Sequence, residues 1–255
     1  MADGPGLAPA ALVTGAAKRI GLAVATHFAR SGRPVVLHAS PRSLAIAEAE
    51  ARRLNESGAR VAVVAADLAD AAQTQALMEE AARRFGPIGL LVNNASLFEV
   101  DAPEDFSVET FERQMAVNLR APLLLARDMA QALPAGASGA VVNIIDQRVW
   151  RLTPRYFSYT LAKSGLWTAT RTMAQAFAPR VRVNAVGPGP VLPNAAFDSA
   201  DFEREARGVP MHRAAPVEAI VDAVAYLASA DSVTGQMIAV DSGQHLAWET
   251  PDVLP

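Results

Sequence analysis

The chain has 255 residues, 51% of them apolar and 19% charged, a composition typical of a globular protein. Its net charge of −3 argues against nucleic acid or an anionic membrane as a partner, since both require a basic surface. The absence of cysteine excludes disulfides, thiolate zinc sites and thiol nucleophiles. Without a recognisable secretory or membrane-spanning segment, we expect one domain over residues 1–255 in the cytoplasm, with no metal site.

Short apolar runs alternate with helical patterns along the chain. The predicted strands cover residues 11–14, 34–38, 61–65, 89–92, 141–145, 181–186 and 237–240. Helices are predicted from the turn after residue 14 to about residue 31, over 44–58, 71–85, 108–133 and 216–230, and after the fifth strand to about residue 178. This alternation predicts an α/β fold, a doubly wound and mainly parallel sheet of seven strands with helices on both faces. Residues 191–214 lack clean periodicity, and residues 187–214 are predicted to form a substrate loop. Residues 246–255 are predicted to form a tail.

The first predicted strand ends in the turn Gly15-Ala-Ala-Lys-Arg-Ile-Gly21, and a helical pattern follows. A strand, a glycine turn and a helix in this order direct backbone N–H groups and a helix N-terminus at a pyrophosphate. The alternative is an ordinary tight turn between a strand and a helix. The predicted cofactor contacts of the turn are Gly15, Lys18, Arg19, Ile20 and Gly21.

The end of the second strand indicates which dinucleotide is bound. Sites for NAD(H) place an acidic residue there, about 20 residues beyond the glycines, to bind the ribose 2′-hydroxyl. Here His38 is followed by Ala39-Ser-Pro-Arg-Ser43, which contains no carboxylate. Ser40, Arg42 and Ser43 can instead bind a 2′-phosphate, so we expect NADP(H), with His38 among the contacts. The alternative is that Arg42 only begins a solvated helix.

Tyr159 and Lys163 lie four residues apart in the helix after the fifth strand, so their side chains share one face. The chain has only two lysines and three tyrosines, so a tyrosine and a lysine at this spacing are rarely expected by chance. An ammonium beside the phenol favours the phenolate and lowers its pKa towards neutrality. Asp146 follows the strand, where open α/β sheets bind their ligands, and its carboxylate opposes phenolate formation.

Two predicted helices are apolar on more than one face, at residues 121–126 and over much of 161–178. A helix of this kind requires a second apolar partner, which favours packing between subunits through these helices. Packing within a single core is the alternative.

Four motifs occurring in order resemble those of the short-chain dehydrogenase/reductase family: Thr14-Gly15 with Gly21, Asn93-Asn94-Ala95, Tyr159 with Lys163, and Pro188-Gly189. The resemblance extends from about residue 9 to 245 and implies a Rossmann-type domain, a nicotinamide cofactor and a homotetramer. It further implies that Tyr159 donates the proton, that Lys163 holds the nicotinamide ribose and that Asn118 anchors a water in a proton relay. The other cofactor contacts that it implies are Asp67, Leu68, Asn94, Ala95, Pro188, Gly189 and Val191.

Three positions depart from the usual family pattern. Arg19 replaces the middle glycine of the turn, Asp146 replaces the catalytic serine, and Ser96 replaces the glycine after Asn-Asn-Ala. With Phe98 they resemble the pteridine reductase branch, which includes dihydromonapterin-type reductases. The resemblance implies that Phe98 stacks a flat heterocycle on the nicotinamide, that Arg19 and Ser96 contact both ligands, and that Asp146 and Tyr159 share the proton delivered to a ring nitrogen.

The exchange of serine for Asp146 is chemically informative. A carboxylate repels the alkoxide that develops when a carbonyl is reduced, but it can bind ring N–H groups and relay a proton to a C=N bond. We therefore expect an NADPH-dependent reductase acting on a dihydropterin-like small molecule. The alternatives are a reductase of a ketone, sugar or acyl thioester, or a catalytically inactive NADP-binding protein. The structural alternatives are that Asp146 only forms the turn at the end of the strand and that Phe98 only packs in the core.

Overall fold

The structure is a computed structural model that describes residues 10–193 and 199–248. Within these residues, seven parallel strands form one sheet in the order β3-β2-β1-β4-β5-β6-β7. The strands are β1 (Ala10–Val13), β2 (Val35–Ala39), β3 (Val61–Ala65), β4 (Ile88–Asn93), β5 (Gly139–Ile144), β6 (Val181–Pro188) and β7 (Met237–Val240). The predicted doubly wound α/β sheet is confirmed, and the ends of the strands differ from the predicted ends by at most two residues.

The central strands are buried on both faces. Every residue of β1, β4 and β5 is buried, which explains why their sequences are continuous apolar runs and not alternating ones. The covering helices are α1 (Arg19–Arg30), α2 (Leu44–Glu56), α3 (Ala71–Phe85), α4 (Val108–Met115), α5 (Ala121–Ala132), α6 (Phe157–Phe177), α7 (Ser199–Arg207) and α8 (Val217–Ser229). Apolar residues of α1, α2 and α8 pack on one face of the sheet, and those of α3, α5 and α6 on the other.

The strand order reverses between β1 and β4. From β1 the chain builds outward to β3, returns to place β4 on the other side of β1, and then continues outward to β7. The connections on the two sides therefore diverge at the carboxyl ends of β1 and β4. This divergence opens the crevice in which doubly wound sheets bind ligands.

The helix predicted over residues 108–133 is interrupted. The five residues Ala116–Arg120 form a π-helical segment between α4 and α5. Such a segment is wider than an α-helical turn and is frequently found at functional sites. Asn118 lies at its centre and is completely buried.

The prediction of a loop over residues 187–214 is wrong in part, because α7 lies within it. This helix has little apolar character and carries ion pairs at helical spacing, Asp201 with Arg204 at 2.9 Å and Glu203 with Arg207 at 3.3 Å. Its apolar side chains are too few to mark a helix in the sequence. Residues 194–198 of the predicted loop and 249–255 of the predicted tail lie outside the described residues. Among the helices that the structure describes, none is sufficiently long and apolar to cross a membrane.

Candidate active site

One cleft with a volume of about 1240 Å³ runs along the carboxyl ends of the strands. All the predicted site residues except Asn118 line it. At one end lie the glycine turn and the end of β2; at the other lie the predicted catalytic residues and the segment after β6. The predicted residues that line the cleft are Gly15, Lys18, Arg19, Ile20, Gly21, His38, Ser40, Arg42, Ser43, Asp67, Leu68, Asn94, Ala95, Ser96, Phe98, Asp146, Tyr159, Lys163, Pro188, Gly189 and Val191.

The glycine turn is held tightly against the end of β4. The side-chain amide of Asn94 donates to the carbonyls of Thr14 at 2.8 Å and Gly15 at 3.2 Å. The Thr14 hydroxyl accepts from the backbone N–H groups of Asn94 and Ala95 at 2.9 and 3.0 Å. A Cβ atom at Gly21 would collide with the Asn94 amide, and Gly15 has a positive φ of 63°. Both glycines are therefore required by the geometry of the turn.

The buried side chain of His38 binds the backbone of the glycine turn. Its Nδ1 accepts from the Gly15 N–H at 3.2 Å, and its Nε2 lies 3.1 Å from the carbonyl of Ala66. The ring is 2% exposed, and burial lowers the pKa of His38 to about 4. The imidazole is consequently neutral at pH 7, and its Nε2–H donates to Ala66.

The end of β2 has the polar groups predicted for a phosphate and no carboxylate. The hydroxyls of Ser40 and Ser43 lie 2.8 Å apart, and Arg42 between them in sequence is exposed. They line the same cleft as the glycine turn. The structure thus brings together the groups on which the expectation of NADP(H) depends.

Asn118 binds protein groups from the π-helical segment and does not line the cleft. Its Oδ1 accepts from the Ser96 hydroxyl at 2.9 Å and from the Leu97 N–H at 3.0 Å. Its Nδ2 donates to the Leu97 carbonyl at 2.8 Å. The side chain therefore fixes the segment that carries Ser96 and leads to Phe98. Its implied role in a water relay stays a prediction.

Asp146, Tyr159 and Lys163 meet at the carboxyl end of β5. The Tyr159 hydroxyl donates to Oδ2 of Asp146 at 3.0 Å, and Oδ1 of Asp146 accepts from the Arg148 N–H at 2.8 Å. The Lys163 ammonium donates to the carbonyl of Ile144 at 2.8 Å and lies 5.6 Å from the centre of the Tyr159 ring. The Asp146 carboxylate therefore faces the phenol and not the bulk solvent.

The pKa values of Asp146, Tyr159 and Lys163 correct the expectation that Lys163 lowers the pKa of Tyr159. Burial, followed by the charge of Asp146, raises the pKa of Tyr159 well above its ordinary value of 10.0. The net effect is opposite to the lowering expected from Lys163. Burial also raises the pKa of Asp146, and it lowers that of Lys163 to about 8 against the opposing charge of Asp146. At pH 7 the phenol is thus protonated and the lysine is charged.

The aromatic rings of Phe98 and Tyr156 lie beside Tyr159. The Phe98 ring stacks on Tyr156 at 4.3 Å between centroids with 12° between planes, and meets Tyr159 edge-on at 4.7 Å. The Arg148 guanidinium lies over Tyr156 at 4.7 Å and over Phe98 at 5.6 Å. Tyr156 and Arg148 were missed by sequence reasoning. The only signal was the position of Tyr156, three residues before Tyr159.

Arg19 extends across the cleft to the segment after β6. Its guanidinium donates to the carbonyls of Pro193 at 2.6 Å and Leu192 at 3.3 Å. Its backbone has a φ of 57°, the left-handed region that glycine adopts easily and arginine does not. The sequence predicted contacts with a cofactor phosphate and the substrate, whereas the structure gives it a contact with the far wall.

Comparison with known proteins matches residues 15–245 to a family model described as Enoyl-(Acyl carrier protein) reductase. The chain is 33% identical to a short-chain type dehydrogenase/reductase of Picea abies, over 92% of this chain and 91% of the relative. The chain belongs to the short-chain dehydrogenase/reductase family. The family resemblance predicted from the sequence is confirmed.

Two further relatives place the chain within the short-chain dehydrogenase/reductase family. The crystal structure of FolM Alternative dihydrofolate reductase 1 from Brucella canis, complexed with NADP, has a TM-score of 0.93 and 51% identity, covering 96% of this chain and 97% of that one. The dihydromonapterin reductase of Citrobacter koseri is 29% identical, over 92% of this chain and 96% of the relative. The predicted similarity to a pteridine reductase branch is confirmed by these two.

Proposed function

We propose that this protein is an NADPH-dependent reductase that reduces a C=N bond of a dihydropterin-like substrate. The observation that carries this proposal is the hydrogen bond from the Tyr159 hydroxyl to the Asp146 carboxylate, 3.0 Å long, at the carboxyl end of β5. It places a proton donor and a group that binds ring N–H in one site. The names of the Brucella and Citrobacter relatives support the same substrate class.

The residues of the cleft fit a nicotinamide dinucleotide. The turn that starts at Gly15 leads into α1, which begins at Arg19, so backbone N–H groups and the N-terminus of this helix can face a pyrophosphate. The 2′-phosphate would be held by Arg42 with the hydroxyls of Ser40 and Ser43, and the nicotinamide ribose by Lys163. NADPH supplies a hydride when bound. The segment 188–191 lines the cleft at the end where the nicotinamide would lie.

The proton chemistry follows from the two raised pKa values. Tyr159 remains a phenol at pH 7, so it can donate a proton but is a poor base. Asp146, whose pKa is also raised, can accept a substrate N–H and pass a proton on. A ring nitrogen placed against this pair would receive the proton as its neighbouring carbon is reduced. The Phe98 ring provides a flat apolar surface for the heterocycle.

The test is NADPH oxidation measured against a panel of 7,8-dihydropterins and quinonoid dihydropterins, with simple ketones and sugars as the comparison set. We expect turnover with at least one dihydropterin and kcat/KM at least tenfold higher than for any carbonyl compound, on the scale of one lost hydrogen bond to a charged group. Faster reduction of ketones would favour the carbonyl reductase, and no turnover would favour the inactive binding protein.

We further propose a homotetramer whose subunits pack through α5 and α6. On these helices Leu123 and Leu124 are only partly buried, and Leu161 is 42% exposed. Exposed apolar side chains on helices that already face a core favour a second partner. Sedimentation equilibrium measures the mass in solution, and a monomer would contradict the assignment.

The single domain over residues 1–255 also stays a prediction.

A further inference from the structure

A second, smaller cavity of about 200 Å³ lies next to the substrate end of the main cleft. It is lined by the 3₁₀ segment Gln147–Val149, by the loop that leads to α6 and by the segment after β7. Arginine supplies three of the lining residues, and no carboxylate is among them. The lining residues are Gln147, Arg148, Arg151, Thr153, Arg155, Tyr156 and Gln244.

The arginines of this cavity have little compensating charge. Among the residues that the structure describes, Arg151 and Arg155 form no ion pair, and Arg148 reaches only Asp146, at 4.0 Å. Nε of Arg148 is buried without a hydrogen-bond partner in the described part of the chain. A second carboxylate, that of Glu205, accepts a hydrogen bond from the lining residue Gln244 at 3.1 Å. Converging guanidinium groups with unused donors are the side chains that bind carboxylate and phosphate oxygens.

The small cavity continues the main cleft. Arg148, Arg155, Tyr156 and Gln244 line both. Arg148 lies over the stacked rings of Phe98 and Tyr156, so its guanidinium stands between the proposed heterocycle site and the small cavity. A substrate whose ring rests beside Phe98 and whose side chain extends past Tyr156 would bring the end of that side chain to Arg151 and Arg155.

We propose that this cavity is an oxyanion subsite that binds the carboxylate-bearing tail of a reduced pterin. The proposal deepens the proposed function and rests on it: pterins with an anionic tail are better substrates than those with a short neutral side chain. Arg155 and Arg151 determine this preference, and Arg148 links the tail to the ring. The sources of the oxyanion to be distinguished are the substrate's own carboxylate and free inorganic phosphate.

The test compares kcat/KM for 7,8-dihydrobiopterin, whose side chain is neutral, with 7,8-dihydropteroate and 7,8-dihydrofolate, which carry one and two carboxylates. The variants are Arg151→Gln, Arg155→Gln and the double variant. Arg84→Gln is the matched control, because Arg84 is exposed on α3 and lines neither cavity. We expect the ratio of kcat/KM for dihydrofolate to that for dihydrobiopterin to fall about tenfold in the double variant, through KM, and to remain unchanged in the control.

Two results would overturn the subsite while leaving the proposed function intact. One is reduction of dihydrobiopterin by every variant with an unaltered ratio. The other is binding of inorganic phosphate, measured calorimetrically in the wild-type protein and abolished in the double variant, while the substrate ratio does not change; the cavity would then bind a free anion. Failure of the wild-type protein to reduce any dihydropterin would instead contradict the proposed function itself.

Discussion

At the scale of single residues, the site depends on a partly buried carboxylate, Asp146, placed beside the buried phenol of Tyr159. Burial raises the pKa of both groups, and the charge of Asp146 raises the pKa of Tyr159 further, whereas the hydrogen bond from Tyr159 lowers the pKa of Asp146. A serine at position 146 would replace this charged acceptor with a neutral hydroxyl, which is a weaker acceptor for a ring N–H. We therefore expect the identity of residue 146 to separate chemistry on nitrogen heterocycles from chemistry on carbonyl groups.

Replacing Asp146 with Ser should lower kcat/KM for dihydropterins by about a hundredfold, the scale of a lost acid–base group. It should not lower turnover of ketones, since the serine can donate to a developing alkoxide. NADPH oxidation with both substrate classes measures the change. As a control, the Kd of NADPH should remain close to the wild-type value. A larger loss with ketones than with dihydropterins would support the carbonyl reductase.

Replacing Arg42 with Asp should weaken NADPH binding by about a hundredfold and NADH binding by much less. The reason is that a carboxylate repels a 2′-phosphate, whereas it can accept from a 2′-hydroxyl. Fluorescence titration of both cofactors gives the two Kd values. Arg53→Asp on α2 is a suitable control, because Arg53 lies outside the cleft. Equal losses for both cofactors would disprove the phosphate assignment.

At the scale of elements, the N-terminus of α6 is held by a residue distant in sequence. The residue that precedes the helix, Tyr156, has a left-handed φ of 61° and provides no side-chain cap. Instead, the buried carboxylate of Asp101 accepts from the Ser158 N–H at 3.2 Å, and its backbone carbonyl accepts from the Tyr156 N–H at 2.8 Å. Asp101 thus connects the segment after Phe98 to the helix that carries Tyr159.

Replacing Asp101 with Ala should destabilise the protein by about 1 kcal/mol, the usual effect of losing a helix cap. It should also lower kcat severalfold, because the first turn of α6 positions Tyr156 and Tyr159 against Phe98. Asp101→Asn keeps an acceptor oxygen and should restore most of both properties. Urea denaturation and steady-state kinetics measure the two effects. A fully active Asp101→Ala protein would show that the cap does not position the tyrosines.

The sequence predicted the elements that periodicity describes and missed those that depend on distant contacts. The strands β3 and β7 and the helix α3 have the predicted bounds, since buried runs and an amphipathic repeat mark them. The cap from Asp101 lies 57 positions from Ser158 and leaves no local pattern. Likewise, the π-helical segment around Asn118 lies within an apolar stretch whose sequence is typical of an ordinary helix. The cleft residues were predicted because β-strand ends and short motifs locate them, whereas Arg148 and Tyr156 depend on packing alone.

At the scale of the whole molecule, the site concentrates ionisable groups that folding removes from water. Lys163 is 2% exposed and His38 is equally buried, and burial is the first cause of the lowered pKa of each. The unfolded chain would hold the protons of these two residues more tightly than the folded one. Preorganising the cleft therefore costs stability, and for His38 this cost depends on pH in the mildly acidic range.

The folded protein should lose stability between pH 7 and pH 5 because of His38. Its pKa is about 4 when folded, compared with an ordinary value of 6.5, so the unfolded state binds the proton first as the pH falls. The stability that the neutral His38 contributes is present above pH 6.5 and is lost as the pH falls towards 4. By linkage, the free energy of unfolding decreases by about 2 kcal/mol between pH 7 and pH 5. Urea denaturation of the wild-type protein and of His38→Gln at several pH values measures the contribution of His38 to the free energy of unfolding, because Asp146 titrates in both proteins. The variant should be less stable at pH 7, having lost the bond to Gly15, but its stability should change less with pH. If it does not fold, an NMR titration of the His38 ring in the wild-type protein decides the matter, and a pKa near 6.5 would contradict a neutral imidazole locked beneath the glycine turn.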